Sequence, residues 1–228
     1  MSFATKTDYL GLETTGLAVK SNTQNASNGV LQIPKSDGSI IGDETYGHIK
    51  NPSCDYVISR SVTLSSLSLG KCHNTDNQYA LQSIKVSTSA GGEPSFSATG
   101  VQIESGATQA VCTYDVDTLT LSPARHALTF GAFTFTESTS LVLNACDFEA
   151  TVDISPSTIN GNPVASDAVK GMETVNVTFW SSTELSAPSI SVATGWHITN
   201  DFTCTGADSS MFVWTGTLTK YLSASQFA

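Results

Sequence analysis

Apolar and polar residues alternate through most of this chain with the two-residue period of half-buried β-strands. Tyr56, Ile58, Arg60 and Val62 share one face of such a strand, and Phe148, Ala150, Val152 and Ile154 share one face of another. Near the C-terminus Phe212, Trp214, Leu218 and Leu222 line one side, with Thr215, Thr217 and Thr219 on the other. Leu128 and Phe130 run in one phase and Phe133 and Phe135 in the other, and the switch at Gly131 predicts a β-bulge. Turn signals punctuate the strands at Asp37-Gly38, Gly91-Gly92-Glu93-Pro94, Asn160-Gly161-Asn162-Pro163 and Thr205-Gly206. No segment of 12 or more residues keeps a helical period, so the pattern predicts at most a short helical turn near 165–171. The fold class is therefore all-β.

The cysteines suggest an internal repeat of about 90 residues. Cys54 to Cys146 and Cys112 to Cys204 are both steps of 92. Cys54-Asp55-Tyr56 answers Cys146-Asp147-Phe148, and Ile84-Lys85-Val86-Ser87 resembles Val175-Asn176-Val177-Thr178. Pro94-Ser95-Phe96-Ser97 matches Pro188-Ser189-Ile190-Ser191 at a step of 94, and Thr99-Gly100-Val101-Gln102-Ile103 matches Thr194-Gly195-Trp196-His197-Ile198 at a step of 95. Two tandem antiparallel sandwiches or partly closed barrels are the predicted architecture, over 41–127 and 128–228. Residues 1–40 fall outside the repeat and read as an extended arm, with a Ser/Asn-rich flexible stretch at 21–29.

Composition narrows the function. Charged residues make up only 13% of the chain, and Ser, Thr, Asn and Gly supply its polar surface. The net charge is −10, divided as −3 over residues 1–130 and −7 over residues 131–228. Tight binding to nucleic acid needs clustered cations, and only two arginines, Arg60 and Arg125, are present. The N-terminal residues lack the apolar run of a secretory leader, and no 18-residue apolar stretch occurs, so the sequence predicts folding in a cytoplasm. There the five cysteines read as small buried thiols. Export would instead make Cys54–Cys112 and Cys146–Cys204 the natural disulfides, leaving Cys72 over.

No motif of chemistry stands out. His48, His73, His126 and His197 are scattered, and adjacent strand residues such as Cys72 and His73 point to opposite faces, so no metal or other cofactor is predicted. There is no Gly-x-Ser-x-Gly elbow, no calcium loop and no phosphate-cradling loop. Asp43-Glu44 and Asp115/Asp117 are the only close acidic sets, and both read as solvated. The sequons at Asn25 and Asn176 are the accidents expected of a Ser/Thr-rich chain. Trp180, Trp196 and Trp214 read as core or interface anchors rather than a sugar-stacking platform. No catalytic, cofactor-binding or metal-binding residue is assigned, and the chain is not expected to be an enzyme.

A duplicated β protein with sparse charge, an acidic balance and an N-terminal arm resembles the structural proteins of tailed phages, tail-tube proteins above all. The resemblance is architectural, covers roughly residues 30–222, and is carried by the paired segments above. It implies a self-assembling virion subunit, with copies of itself and other virion proteins as partners, forming stacked rings around an acidic conduit through which DNA slides. Long Thr-rich strands with few edge lysines point the same way, because an unprotected edge pairs with another copy. Three alternatives remain open at this point. They are another virion part (decoration, terminator or baseplate ring), an exported Ig-like adhesin or carbohydrate-binding module, and a hydrolase with a loop-built site.

Overall fold

The computed structural model describes residues 6–34, 40–76, 78–89, 93–121, 132–134, 141–159, 162–182, 190–208 and 211–226. Fifteen strands and no helix form among them. In chain order the first eight are β1 (Leu17–Pro34), β2 (Ile40–Ile58), β3 (Val62–Leu64), β4 (Ser68–Lys71), β5 (Tyr79–Ser89), β6 (Ser95–Gln102), β7 (Gln109–Asp115) and β8 (Leu119–Leu121). The others are β9 (Phe133–Thr134), β10 (Leu141–Ile159), β11 (Asn162–Ser181), β12 (Ser191–Val192), β13 (His197–Asp208), β14 (Met211–Tyr221) and β15 (Ala224–Gln226).

Eight strands make one antiparallel sheet in the order β1-β2-β6-β5-β10-β11-β14-β13. Its inner face is the alternating apolar set that the sequence predicts. One row runs Tyr56, Phe96, Val86, Phe148, Val175 and Leu218 across six strands, all six buried. Phe96 and Phe148 have no exposed surface, and burying each contributes about 1.5–3 kcal/mol. Three smaller sheets, β15-β7-β4, β3-β8 and β12-β9, accompany the large one. Of these, β4 packs on β5 and β10, while β7 packs on β11. The Tyr114 hydroxyl of β7 donates to the Ala168 carbonyl at 3.2 Å, and the Leu222 N–H donates to the Gly171 carbonyl at 2.9 Å.

The strand order and register recur along the sheet. Each half reads first, second, fourth, third in chain order: β1-β2-β6-β5, then β10-β11-β14-β13. In the β1–β2 hairpin the register shifts between Val19 and Ser21, Ser27 and Gly29, and Ile33 and Pro34. In β10–β11 it shifts between Leu143 and Ala145, Thr151 and Asp153, and Ser157 and Thr158, each a step of 124 further on. The pairs Ser53↔Thr99 to Val57↔Ser95 of β2–β6 reappear as Asn176↔Thr217 to Trp180↔Val213 of β11–β14, residue for residue. We refer to the two halves as the first and second four-strand units.

Several expectations need correction. The step of 92 sets β2 against β10, but Cys54 pairs with Ala98 while Cys146 pairs with Val177 and Thr88, so those strands have different neighbours. Period-two segments match one another locally whatever their place in a sheet, so likeness of residues does not imply like neighbours. The two predicted domains share one core: residues of both belong to a single buried cluster, and β5 pairs directly with β10. The proposed boundary at 127/128, the Gly131 bulge and the Asp37-Gly38 turn lie outside the described residues. The expected loose arm is tied in over much of its described length. Leu10, Leu12 and Leu17 are buried, and Asp8 accepts from the N–H groups of Leu10, Gly11 and Glu13 and from the Tyr56 hydroxyl. The Ser/Asn-rich stretch pairs with β2 because the ladder bonds come from the backbone, whatever the side chains. Residues 165–171 continue β11 instead of turning into helix, and β13 continues through Thr205-Gly206 with a register shift between Cys204 and Gly206.

Candidate functional site

The buried titratable groups are mostly structural. Burial raises the pKa of the Cys54 and Cys146 thiols and pushes Cys72 up to about 11, which disfavours a nucleophilic thiolate at neutral pH. Among the described residues no disulfide joins these cysteines, and no group of His, Cys, Asp and Glu has the arrangement of a metal site. Burial lowers the pKa of His73, whose Nε2 lies 3.1 Å from the Ser68 carbonyl oxygen. Trp214 and Trp180 project from opposite faces of the sheet, since the first pairs with inward Phe179 and the second with Val213. They form no common platform.

One ion cluster sits beneath the sheet. Glu173 is fully buried, accepts from the Asp117 N–H at 2.7 Å, and lies 3.7 Å from the Lys220 ammonium. Lys220 also donates to the Asp117 carboxylate at 2.5 Å. Burial raises the Glu173 pKa to about 7, and the nearby Asp117 charge adds to the rise while its N–H and Lys220 oppose it. With no exposed surface, this carboxyl is shielded from substrate and braces the β7–β8 connection to the large sheet. Glu173 shares its inward phase with Val175 and Val177, which are also buried.

The outer face of the large sheet is a polar surface. One row across seven strands reads Asp55, Ser97, Lys85, Glu149, Thr174, Thr219 and His197. The next reads Val57, Ser95, Ser87, Asp147, Asn176, Thr217 and Asn200. Carboxylates outnumber ammonium groups on these two rows, with Lys85 facing Glu149 directly across β5 and β10. An open groove where β13 splays from β14 is lined by Asn176, Thr178, Thr199, Asn200, Thr203 and Thr217, hydroxyl and amide groups with Asp201 the one carboxylate beside them.

Among the described residues the sheet ends in two open edges, β1 and β13. Neither middle carries a lysine run or a proline, since residues 23–27 read Thr-Gln-Asn-Ala-Ser and residues 201–205 read Asp-Phe-Thr-Cys-Thr, and no helix among the described residues covers either. The sequence assigned no site residue, and these edges were out of its reach because strand neighbours are set by long-range pairing. No protein-family model matches the chain, and no curated protein is found to match it.

Proposed function

We propose that the chain is a non-enzymatic, self-assembling structural subunit of a virion, of the tail-tube kind, whose large sheets join copy to copy around a conduit. The observation that carries this reading is the recurrence of strand order and register within the sheet. It supports a tandem duplication in which the units are 17–102 and 141–221, a different division from 41–127 and 128–228. β5–β10 is then a unit-to-unit joint inside one chain, and the strands left open at the ends, β1 and β13, are the counterparts of β10 and β5. A part that already joins end to end once, and keeps both halves of the joint exposed, continues by adding further copies.

The polar face supports a conduit. Asp55, Asp147 and Glu149 against Lys85 give a surface that repels phosphate while hydroxyls keep it wetted, so DNA passes without being held. Partners are further copies of this chain and neighbouring virion proteins. The deciding experiment is light scattering followed by negative-stain microscopy across a concentration series. Stacked rings or tubes with a central hole are expected. A monodisperse 23.9 kDa monomer persisting at high concentration sinks the reading and turns attention to glycan screening of the Asn/Thr groove.

A further inference from the structure

We infer that the two open edges are the halves of one joint: β13 of one copy pairs with β1 of the next in the register by which β5 pairs with β10 inside the chain. This rests on the assembly reading above and specifies its contact.

The register follows from the recurrence. Inside the chain Phe148 pairs with Val86, Glu149 with Lys85 and Ala150 with Ile84. The hairpin registers make Phe148, Glu149 and Ala150 the counterparts of Gln24, Asn25 and Ala26, at the step of 124. On the other side Lys85↔Ser97 and Val86↔Phe96 recur as Thr203↔Thr215 and Cys204↔Trp214, a step of 118 in both strands. Between copies, Gln24 therefore sits opposite Cys204, Asn25 opposite Thr203 and Ala26 opposite Phe202.

The chemistry of these pairs fits. A small residue faces a large one at Ala26 and Phe202, as Ala150 faces Ile84 inside the chain. On the polar face Asn25 meets Thr203, so no like charges oppose each other. The Lys6 ammonium donates to the Lys20 carbonyl and the Asn22 side-chain amide donates to the Thr7 carbonyl, so the start of β1 already has partners and the proposed pairs lie beyond it. The difference in burial between counterpart strands also fits an incomplete joint. Val86, flanked by β10, is fully buried, while its counterpart Cys204 is exposed. Because β1 meets β13 and never itself, the contact is head-to-tail and propagates into a closed ring or an open helix rather than stopping at a dimer.

Cysteine crosslinking of the full chain tests the register. Gln24→Cys, oxidised under assembling conditions, is expected to bond to native Cys204 of the next copy and give a ladder of dimers, trimers and larger species on a non-reducing gel. Thr23→Cys points to the opposite face and is expected to give less than a tenth of that ladder. Particles that assemble while Gln24→Cys gives no ladder, or while Thr23→Cys crosslinks as well, overturn the register but leave the assembly reading standing. A crosslinked dimer of the unsubstituted chain through Cys204 alone means a twofold contact and overturns the head-to-tail joint. Failure of every variant and of the unsubstituted chain to assemble removes both.

Discussion

Where the first unit sets Cys54 opposite Ala98 and Tyr56 opposite Phe96, the second sets Val177 opposite Gly216 and Phe179 opposite Trp214. The backbone register is the same and its filling is not. Behind Ala98 stands Ile84; in the second unit the neighbour is Phe202, close enough that a Cβ on Gly216 would fall 2.5 Å from its ring. Volume lost on one strand is recovered on the next, as close packing requires. Position changes more than chemistry does. β10 lies at the centre of the sheet and its counterpart β1 at the edge, so the same register slot is core in one unit and surface in the other.

That contrast gives the largest expected effect. Phe148→Ala should cost about 3–5 kcal/mol in urea unfolding, because it opens a cavity under the middle of the sheet. Gln24→Ala, at the counterpart position, should cost about 1 kcal/mol or less in the unassembled chain, the worth of its hydrogen bond to the Tyr79 hydroxyl. Equal costs at the two positions would mean that β1 is already covered in the monomer.

Next in size is a pH effect confined to the second unit. Glu173 corresponds to Lys50 of the first, which is exposed, so only the second unit carries a buried carboxyl at this slot. Unfolded, this carboxyl loses its proton near pH 4.5; folded, it holds it to about 7. Its contribution is therefore full below pH 4.5 and is lost as pH rises through 7, a fall of about 3 kcal/mol. Glu173→Gln should remove that slope. Unfolding curves of the two proteins from pH 4.5 to 8 measure it, and parallel curves would show that Lys220 already holds the carboxylate ionised.

The packing exchange predicts a smaller, coupled effect. Gly216→Ala should destabilise by about 1–3 kcal/mol through its collision with Phe202. Adding Phe202→Ile recreates the Ala98–Ile84 pairing of the first unit and should recover at least half of the loss. A double-mutant cycle gives the coupling, and strict additivity would mean that the two sites do not share space.

The faces of these strands were legible in the sequence, and their neighbours were not. Phe148, Ala150, Val152 and Ile154 are buried as their spacing predicts, because side-chain direction in a strand is a local property. Residue likeness aligns Cys-Asp-Tyr with Cys-Asp-Phe, on strands that occupy different places. The recurrence that organises the sheet lies in the bulges, and bulge residues share no chemistry: Lys20 and Asn144 fall at the first shift, Asn28 and Val152 at the second. Backbone pairing leaves little mark on composition. The open edges, the basis of the assembly reading, were hidden for the same reason.

The second bulge also carries the smallest effect. On the partner strand of the second unit it places Lys170 at a φ of 60°, in the left-handed region that β-carbons disfavour. The counterpart residue in the first unit is Gly47. Relieving the left-handed backbone is worth about 1–2 kcal/mol, and the added freedom of glycine in the unfolded chain takes back about 0.5–1. Lys170→Gly should therefore stabilise by about 0.5–1 kcal/mol. The substitution also removes the ion pair with Asp153 at 3.4 Å, but both side chains are largely exposed and such pairs contribute little. Lys170→Ala separates the two terms, since it deletes the ion pair and keeps the backbone strain; it should leave stability within about 0.5 kcal/mol. Stabilisation by glycine but not alanine would establish that the two units share their bulge geometry and that only the first has the residue suited to it. Equal effects of the two would place the difference in the side chain.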